Sequence, residues 1–337
     1  MQSRQLGSLW PVSRLTLGGG GLGQLWGETT REEAVATVRA AVDAGITLLD
    51  MAPGYGRGEA EAVIGEAFGG RLPAGVRLTT KCQLGSPPAE EIAGILERKL
   101  VRSLATMKAE RADIYFLHSN ICPDDYAYAQ NADTQHLWAT RQSLYLTRVV
   151  PAMEALVAKG LIGAWGITGT GLPRTVMEAL RHEVKPGAVQ AVANLMDSAG
   201  SMRQYEEPPE PRNIIRTAVN NGVGALTAAL DRPLPADHPE MLDYAKAAPF
   251  RALCAEMGAE MGEDPAIVAH RYALRMEGVD TVILGVKNRA ELAQLVEAEA
   301  RGDLEDEVRT RIDALRLTFQ KPKLPAEELI SLRGHDA

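Results

Sequence analysis

Four polar residues that could pass a proton among themselves follow three consecutive predicted strands. Asp50 and Tyr55 come after the second strand, Lys81 after the third and His118 after the fourth. A tyrosine ionises near pH 10 in water, so it exchanges protons at neutral pH only when a nearby cation favours its phenolate. Lys81 can supply that cation, and Asp50 can keep a partly desolvated lysine protonated. With His118 bonded to a substrate oxygen, this set would protonate a carbonyl as hydride reaches its carbon, or do the reverse.

This chemistry requires no metal ion, and we expect none. The three cysteines, Cys82, Cys122 and Cys254, are too few and too widely spaced for a disulfide framework or a zinc cluster. Such sparse use of cysteine is typical of a reducing compartment. We therefore interpret the three thiols as structural.

The elements that must position these residues are predicted by an alternation of short apolar segments with longer segments of helical period, the pattern of repeated βα units. In the first unit, Thr30 and Glu33 form a capping box that predicts a helix start, and Gly45 can end that helix in the left-handed conformation. The predicted strands are residues 14–17, 46–49, 77–80, 113–117, 162–167, 188–193, 223–227 and 281–284.

Helices are predicted between these strands, over residues 59–68, 89–108, 150–159, 173–182, 213–220 and 264–276. Eight strand–helix units in 337 residues predict an α/β fold with one parallel (β/α)8 TIM barrel, a single domain over residues 1–337. Chemistry in such barrels gathers at the C-terminal strand ends, where the four polar residues fall. Three long connections, 119–147, 196–212 and 231–249, are expected to wall a pocket on that face.

Composition limits the partners of the chain. A formal net charge of -8 argues against nucleic acid or an anionic membrane, because binding phosphates needs a basic surface. We find neither a signal-peptide segment nor an apolar run of membrane-spanning length, so we expect a cytoplasmic protein. A small-molecule substrate is the expected partner, and the sequence leaves the oligomeric state open.

The sequence resembles the aldo-keto reductase family, most clearly through residues 48–56, Leu-Leu-Asp-Met-Ala-Pro-Gly-Tyr-Gly, followed by Gly58, Glu61 and Gly65. Residues 79–81 and 113–118 look like the lysine and histidine motifs of that family. The resemblance continues through 163–168, 189–194 and 282–288, and so spans nearly the whole chain.

The resemblance implies an oxidoreductase that transfers hydride between NADP(H) or NAD(H) and an aldehyde, a ketone or an aldose. The catalytic tetrad of the family carries onto Asp50, Tyr55, Lys81 and His118, with Tyr55 as general acid and base. A (β/α)8 barrel follows from the same resemblance.

Cofactor contacts are also implied for residues at other strand ends. By the resemblance, Gln190 faces the nicotinamide amide, and Thr168 stands where the family often has a serine. Gly19 and Gly20 would let the first loop pass close to the cofactor.

The phosphate end of the cofactor is expected near the last predicted strand, in the segment that begins with Gly285. Asn288 can cap a helix there, so that its free backbone amides and positive dipole end meet a phosphate. Lys287 stands beside this cap and favours NADP(H), while NAD(H) stays open.

Two observations concern the substrate. Trp26 in the first loop could form an apolar wall beside the substrate, or only pack against its own loop. The segment Thr227-Ala228-Ala229-Leu230 departs from the family, which often has an aromatic residue followed by Ser-Pro-Leu there. Family members that oxidise sugars also lack this aromatic residue, so the resemblance favours a sugar-like substrate.

Three alternatives remain beside this interpretation. Residues 18–23 contain the glycine spacing of a dinucleotide-binding Rossmann turn, although that motif needs a helix directly after its last glycine. Some barrels that resemble this family are regulatory subunits, which bind the nicotinamide cofactor as sensors with little turnover. A lyase would instead use Lys81 to form a Schiff base.

Overall fold

Twelve strands lie within the part of the chain that the computed structural model describes, residues 1–25, 27–128, 132–169, 172–192, 195, 214–217, 247–261, 264–276 and 279–317. In chain order they are β1 (Ser3–Gln5), β2 (Pro11–Ser13), β3 (Leu15–Gly18), β4 (Leu48–Asp50), β5 (Arg77–Cys82), β6 (Ala112–Leu117), β7 (Asn120–Cys122), β8 (Ala139–Arg141), β9 (Ile162–Thr168), β10 (Ala188–Val192), β11 (Ile214–Thr217) and β12 (Thr281–Leu284).

Nine helices of nine residues or more accompany these strands within the same ranges. They are α1 (Arg31–Asp43), α2 (Glu59–Phe68), α3 (Ile92–Met107), α4 (Val150–Ala158), α5 (Pro173–Arg181), α6 (Ala248–Met261), α7 (Pro265–Arg275), α8 (Arg289–Ala300) and α9 (Asp306–Ala314). Shorter helical turns span Gly19–Leu22, Tyr55–Gly58, Ala132–Thr134, Gln135–Trp138, Gln142–Leu144 and Tyr145–Val149. Within the ranges given above, no helix is both long and apolar enough to cross a membrane.

The helix boundaries follow local chemistry that is readable in the sequence. The Thr30 hydroxyl accepts a hydrogen bond from the backbone N–H of Glu33, as the capping box predicts. Asn288 caps α8 by accepting from the backbone N–H of Glu291. Past α1, Gly45 adopts a φ of 91°, which a residue with a side chain would adopt only with strain.

The strands of the curled parallel sheet lie in the order β3, β4, β5, β6, β9, β10, β11 and β12, and β12 lies beside β3. All of these except β11 are strands that the sequence predicts. β11 pairs in parallel with both β10 and β12, so the strand order closes on itself. Because parallel strands share one direction, their C-terminal ends meet on one face. This is the arrangement that the alternating pattern predicts.

The segment 213–220 corrects one prediction: we expected a helix there, and the structure has β11 (Ile214–Thr217) instead. Two consecutive isoleucines and a threonine favour an extended backbone, and pairing with strands on both sides supplies the hydrogen bonds that a helix would have made internally. The predicted strand 223–227 and the predicted loop 196–212 lie outside the described residues. Of the third predicted loop, 231–249, only residues 247–249 are described.

The N-terminal end of the barrel is closed by the antiparallel hairpin of β1 and β2. Leu6 and Val12 of this hairpin pack with Leu48, Phe116 and Ile283 from inside the barrel. Burying these side chains together excludes water from the barrel floor. A ligand can therefore approach the barrel interior from the C-terminal face.

Side-chain alternation along the strands decides which residues reach the interior. Leu48 points into the barrel, so Asp50, two residues later in β4, points the same way. Phe116 fills the middle of the barrel because Gly166 on the neighbouring strand has no side chain: a Cβ there would lie 2.4 Å from the phenyl ring. The barrel interior is thus apolar toward the N-terminal ends of the strands and polar at their C-terminal ends.

The first long connection, predicted as the loop 119–147, contains a two-stranded parallel sheet of β7 and β8. The aromatic rings of Tyr126, Tyr128 and Trp138 stack edge to face against one another, with centroids 4.7 to 4.8 Å apart. The Gln135 side chain donates to the backbone carbonyl of Tyr126 and accepts from the backbone N–H of Tyr128. These aromatic residues pack within their own loop.

A buried histidine on α7 gives the fold a dependence on pH. His270 is only 1% exposed, and neither ring nitrogen has a hydrogen-bond partner within the described structure. Burial and the nearby Arg14 charge lower the pKa of His270 to about 4. The imidazole is therefore neutral in the native protein at physiological pH.

We expect the free energy of unfolding to fall as the pH drops from 7 to 4, and His270→Leu to remove part of this fall. An unfolded histidine takes up a proton near pH 6.5, whereas folded His270 does so only near pH 4, so protonation favours the unfolded chain in this window. The contribution of His270 to the free energy of unfolding is fully present above pH 6.5, the pKa of histidine in the unfolded chain. At pH 4 the protein has lost about 3 kcal/mol of that contribution.

Urea unfolding at a series of pH values measures this slope. The control is His136→Leu at an exposed position, which should keep the wild-type slope. An unchanged slope in His270→Leu would contradict the assignment of this pH dependence to His270.

Candidate active site

Polar side chains from the ends of neighbouring strands converge at the C-terminal face of the barrel. Asp50 is the last residue of β4, Lys81 lies near the end of β5 and His118 directly follows β6. Tyr55 begins the helical turn after β4. The structure thus brings the four sequence-predicted residues to the same end of the barrel, because the strands that carry them are adjacent and parallel.

The Asp50 carboxylate is the centre of the hydrogen-bond network. Its Oδ2 accepts from Lys81 Nζ at 2.7 Å, while Oδ1 accepts from the Thr79 hydroxyl at 2.5 Å and from Gln190 Nε2 at 2.6 Å. The residue is only 2% exposed. A buried carboxylate keeps its charge when it is paired and fully hydrogen-bonded, and both conditions are met here.

Lys81 is a buried cation held from two sides. Its ammonium donates to Asp50 and, at 2.9 Å, to the backbone carbonyl of Met51, and the residue is 1% exposed. Burial alone would lower the pKa of Lys81, but the Asp50 carboxylate and the Tyr55 hydroxyl together raise the pKa above its ordinary value. The ammonium therefore stays charged, with Nζ 4.7 Å from the centre of the Tyr55 ring.

The backbone after β4 turns sharply to place Tyr55 beside this ammonium. Gly56 and Gly58 adopt φ values of 64° and 96°, a conformation that glycine takes at little cost. Gly19 of the neighbouring turn makes room for the ring, since a Cβ there would lie 3.1 Å from Tyr55 Cδ2. The role of Gly19 and Gly20 beside a cofactor stays a prediction.

Two opposing effects act on the Tyr55 hydroxyl. Burial raises the pKa of Tyr55 above its ordinary value, and the Lys81 charge acts in the opposite direction. The net shift is upward, so the phenol is protonated at neutral pH. Such a group can donate a proton, and the adjoining cation stabilises the phenolate that remains.

His118 has the opposite character. Burial and the Lys81 charge lower its pKa to about 4, so the imidazole is neutral at physiological pH. A neutral imidazole can donate one hydrogen bond without releasing its proton. The arrangement can therefore protonate an oxygen from Tyr55 while His118 holds that oxygen.

Thr168 and Gln190 are register neighbours on β9 and β10, next to Asp50. Both are buried, and the Thr168 hydroxyl lies 3.3 Å from the backbone carbonyl of Leu117, to which it donates. Sequence reasoning placed Gln190 toward a nicotinamide and missed its bond to Asp50. It also missed Thr79, although the spacing of two from Lys81 puts both on the same face of β5.

The last predicted site segment follows β12 and contains Gly285, Lys287 and Asn288. Asn288 caps α8 as expected, but Lys287 is engaged by the protein itself. Its ammonium lies 2.9 Å from a carboxylate oxygen of Glu291, whose other oxygen accepts from the Lys287 backbone N–H. Gly20 lies buried in the Gly19–Leu22 turn, and the predicted substrate residue Trp26 lies outside the described residues.

Comparison with known proteins gives a family model that covers nearly the whole chain. Residues 14–317 match the model described as Aldo/keto reductase family. Over 320 residues the chain is 22% identical to L-galactose dehydrogenase of Arabidopsis thaliana, with 90% of each protein covered. Alignments with two bacterial relatives span only 18% and 39% of those proteins.

Solved structures show the same fold. The glycerol dehydrogenase AKR11B4 from Gluconobacter oxydans gives a TM-score of 0.71 at 20% identity, covering 96% of this chain and 98% of that chain. An aldo-keto reductase from Klebsiella pneumoniae in complex with NADPH gives a TM-score of 0.66 at 22% identity, covering 95% and 96%.

We expect Asp50→Asn and Lys81→Met each to destabilise the protein by about 3–5 kcal/mol, because each leaves a buried charge without its partner. The double variant should lose clearly less stability than the two single variants lose together, since it removes both charges. Urea unfolding at pH 7 measures the cycle.

The matched control is the exposed pair Lys159 and Glu97, whose charged atoms also lie 2.7 Å apart. Removing either of these charges should change stability by no more than about 1 kcal/mol. Additive losses at Asp50 and Lys81 would show that the two charges do not depend on each other.

Proposed function

The chain belongs to the aldo/keto reductase family, and from that premise we propose that it transfers hydride between a nicotinamide dinucleotide and a carbonyl or alcohol group. The substrate class is an aldehyde, a ketone or an aldose, with a CH–OH group as donor in the oxidative direction. The observation that carries the proposal is the buried ammonium of Lys81, which Asp50 keeps charged 4.7 Å from the centre of the Tyr55 ring.

In the proposed mechanism each member of the tetrad has one task. Tyr55 donates a proton to the carbonyl oxygen in reduction and removes it in oxidation. Lys81 stabilises the phenolate that forms, and Asp50 holds Lys81 charged and in place. His118 donates a hydrogen bond to the same oxygen, which orients the carbonyl toward Tyr55.

The residues beside the tetrad fit the nicotinamide end of such a cofactor. Gln190 and Thr168 offer an amide and a hydroxyl at adjacent strand ends, which suits the carboxamide of the ring. We propose that these two residues, with Gly19, Gly20, Gly285, Lys287 and Asn288, line the cofactor site. A bound nicotinamide would accept or supply the hydride.

A hydroxylated substrate is favoured within the proposed class. The names of two relatives, L-galactose dehydrogenase and glycerol dehydrogenase, refer to a sugar and a polyol. His118 and Tyr55 would both bond the reacting oxygen, and we propose Trp26 as a substrate contact at the mouth of the barrel. We also propose that residues 1–337 form one barrel domain.

We expect Tyr55→Phe to lower kcat by about 10²–10⁴-fold while the affinity for the dinucleotide stays within a factor of about two, because only the proton donor is lost. Fluorescence titration with NADH and NADPH measures binding, and a panel of aldehydes, aldoses and polyols measures turnover. Tyr145→Phe is the control, a buried tyrosine whose hydroxyl has no partner within the described structure.

Binding without turnover by the wild-type protein would instead favour a sensor of nicotinamide cofactors. Absence of binding would contradict the proposed function altogether. Turnover that survives in Tyr55→Phe would assign the proton to another group.

The pH dependence of the two directions should differ. Burial raises the pKa of Tyr55, so the proton donor is present through neutral pH and reduction should stay level up to about pH 9. Oxidation needs the deprotonated phenol, so its rate should rise with pH over the same interval. The pKa of His118, about 4, predicts no change near pH 6.5 in either direction.

Steady-state kcat/KM from pH 5 to 10 in both directions measures these profiles. A change in kcat/KM for reduction near pH 6.5 would show that His118, rather than Tyr55, donates the proton.

A further inference from the structure

The start of α8 lies where barrels frequently bind phosphate, at the loop after the eighth strand of the circle. α8 directly follows β12 and begins on the same face as the tetrad. Backbone N–H groups at a helix start attract anions, and Lys287 and Arg289 add two positive charges there. The sequence predicts the phosphate end of the cofactor at this segment, and the proposed function includes Lys287 and Asn288 in the cofactor site.

Two carboxylates of the chain already occupy these cations and amides. Glu33, from α1, accepts from the backbone N–H of Arg289 at 2.9 Å and makes two further bonds with the Arg289 guanidinium, at 2.8 and 3.1 Å. Glu291 does the same for Lys287, accepting from its backbone N–H at 2.8 Å and pairing with its ammonium at 2.9 Å.

Both carboxylates stand on backbone that is anchored at a helix start. The Glu33 backbone N–H is bonded to the Thr30 hydroxyl at the start of α1, and the Glu291 backbone N–H is bonded to Asn288. The Thr29 hydroxyl donates to the backbone carbonyl of Lys287 at 2.8 Å, so the two helix starts are tied together. The pKa of Glu33 is lowered by its hydrogen bonds with Arg289, so this carboxylate is charged at neutral pH.

The charge balance at the start of α8 follows from these contacts. Two cations and two carboxylates leave it without net charge. Exposed ion pairs are individually weak, so a ligand can open them. A phosphate that did so would nevertheless lie beside two released carboxylates, and like charges in such proximity repel.

We propose that Glu33 and Glu291 make this protein select NAD(H) over NADP(H). The two cofactors differ at the 2′ position of the adenosine ribose, which carries a hydroxyl in NAD(H) and a phosphate in NADP(H). A hydroxyl can donate a hydrogen bond to a carboxylate, whereas a phosphate can only repel it. The proposal rests on the proposed function, and it reverses the preference that Lys287 alone suggests in the sequence.

The test compares ligands that differ only at this position. Titration calorimetry with NAD⁺ and NADP⁺, and with the fragments 5′-ADP and 2′,5′-ADP, measures binding without turnover. The fragments lack the nicotinamide and so do not report on the tetrad. The variants are Glu33→Gln, Glu291→Gln and the double substitution, and Glu297→Gln is the control, a charge removed from the exposed last turn of the same helix.

We expect the wild-type protein to bind NAD⁺ at least about tenfold more tightly than NADP⁺, and 5′-ADP more tightly than 2′,5′-ADP. Each test variant should reduce the preference for NAD⁺ over NADP⁺ and for 5′-ADP over 2′,5′-ADP, mainly because the 2′-phosphorylated ligand binds more tightly. The double variant should reduce both preferences most. Glu297→Gln should leave both ratios within a factor of about two.

Equal or tighter binding of NADP⁺ by the wild-type protein would overturn the inference and leave the proposed function standing. Unchanged ratios in the double variant would overturn the roles of Glu33 and Glu291. If neither dinucleotide binds, the proposed function fails and the inference falls with it.

Discussion

The pairing of Asp50 with Lys81 is the interaction on which the arrangement of this site depends. A lysine that is 1% exposed can remain charged only beside an opposite charge, and Asp50 can remain charged there only with its own donors satisfied. Three donors from two strands meet that requirement: Lys81 and Thr79 on β5, and Gln190 on β10. The barrel must therefore close accurately around Asp50, because β10, which carries Gln190, pairs with neither β4 nor β5.

This constraint explains the division of the barrel interior. Below the pair, Leu48 and Phe116 pack with the N-terminal hairpin and exclude water. Above it, His118 and Tyr55 remain partly exposed, in the position where a substrate can reach them. The charge of Lys81 acts on both: it opposes the upward shift of the Tyr55 pKa and contributes to the low pKa of His118. One cation thus prepares a proton donor and a neutral hydrogen-bond donor side by side.

The charged groups at the start of α8 differ from those around Asp50 in their exposure to solvent. Around Asp50 the ionic groups are buried and paired, whereas Glu33 and Glu291 are partly exposed and can exchange partners. In the proposal their importance lies in the net charge that they leave at a helix start, since Glu291 offsets the attraction of Lys287 for a phosphate. A lysine therefore cannot be interpreted from its type alone; the carboxylates within its reach decide what it can bind.

The sequence by itself determined the βα alternation, seven of the strands, the helix caps at Thr30 and Asn288, and the meeting of Asp50, Tyr55, Lys81 and His118 at one end of the barrel. These features depend on residue types at short spacing, which local backbone physics converts directly into structure. Only the tertiary structure decided that β11 (Ile214–Thr217) is a strand, because its hydrogen bonds are made with distant segments. It also decided that Gln190 bonds Asp50 and that Glu33 pairs with Arg289, residues separated by 140 and 256 positions. No local pattern encodes such contacts, since they exist only when the closed sheet brings the two segments together.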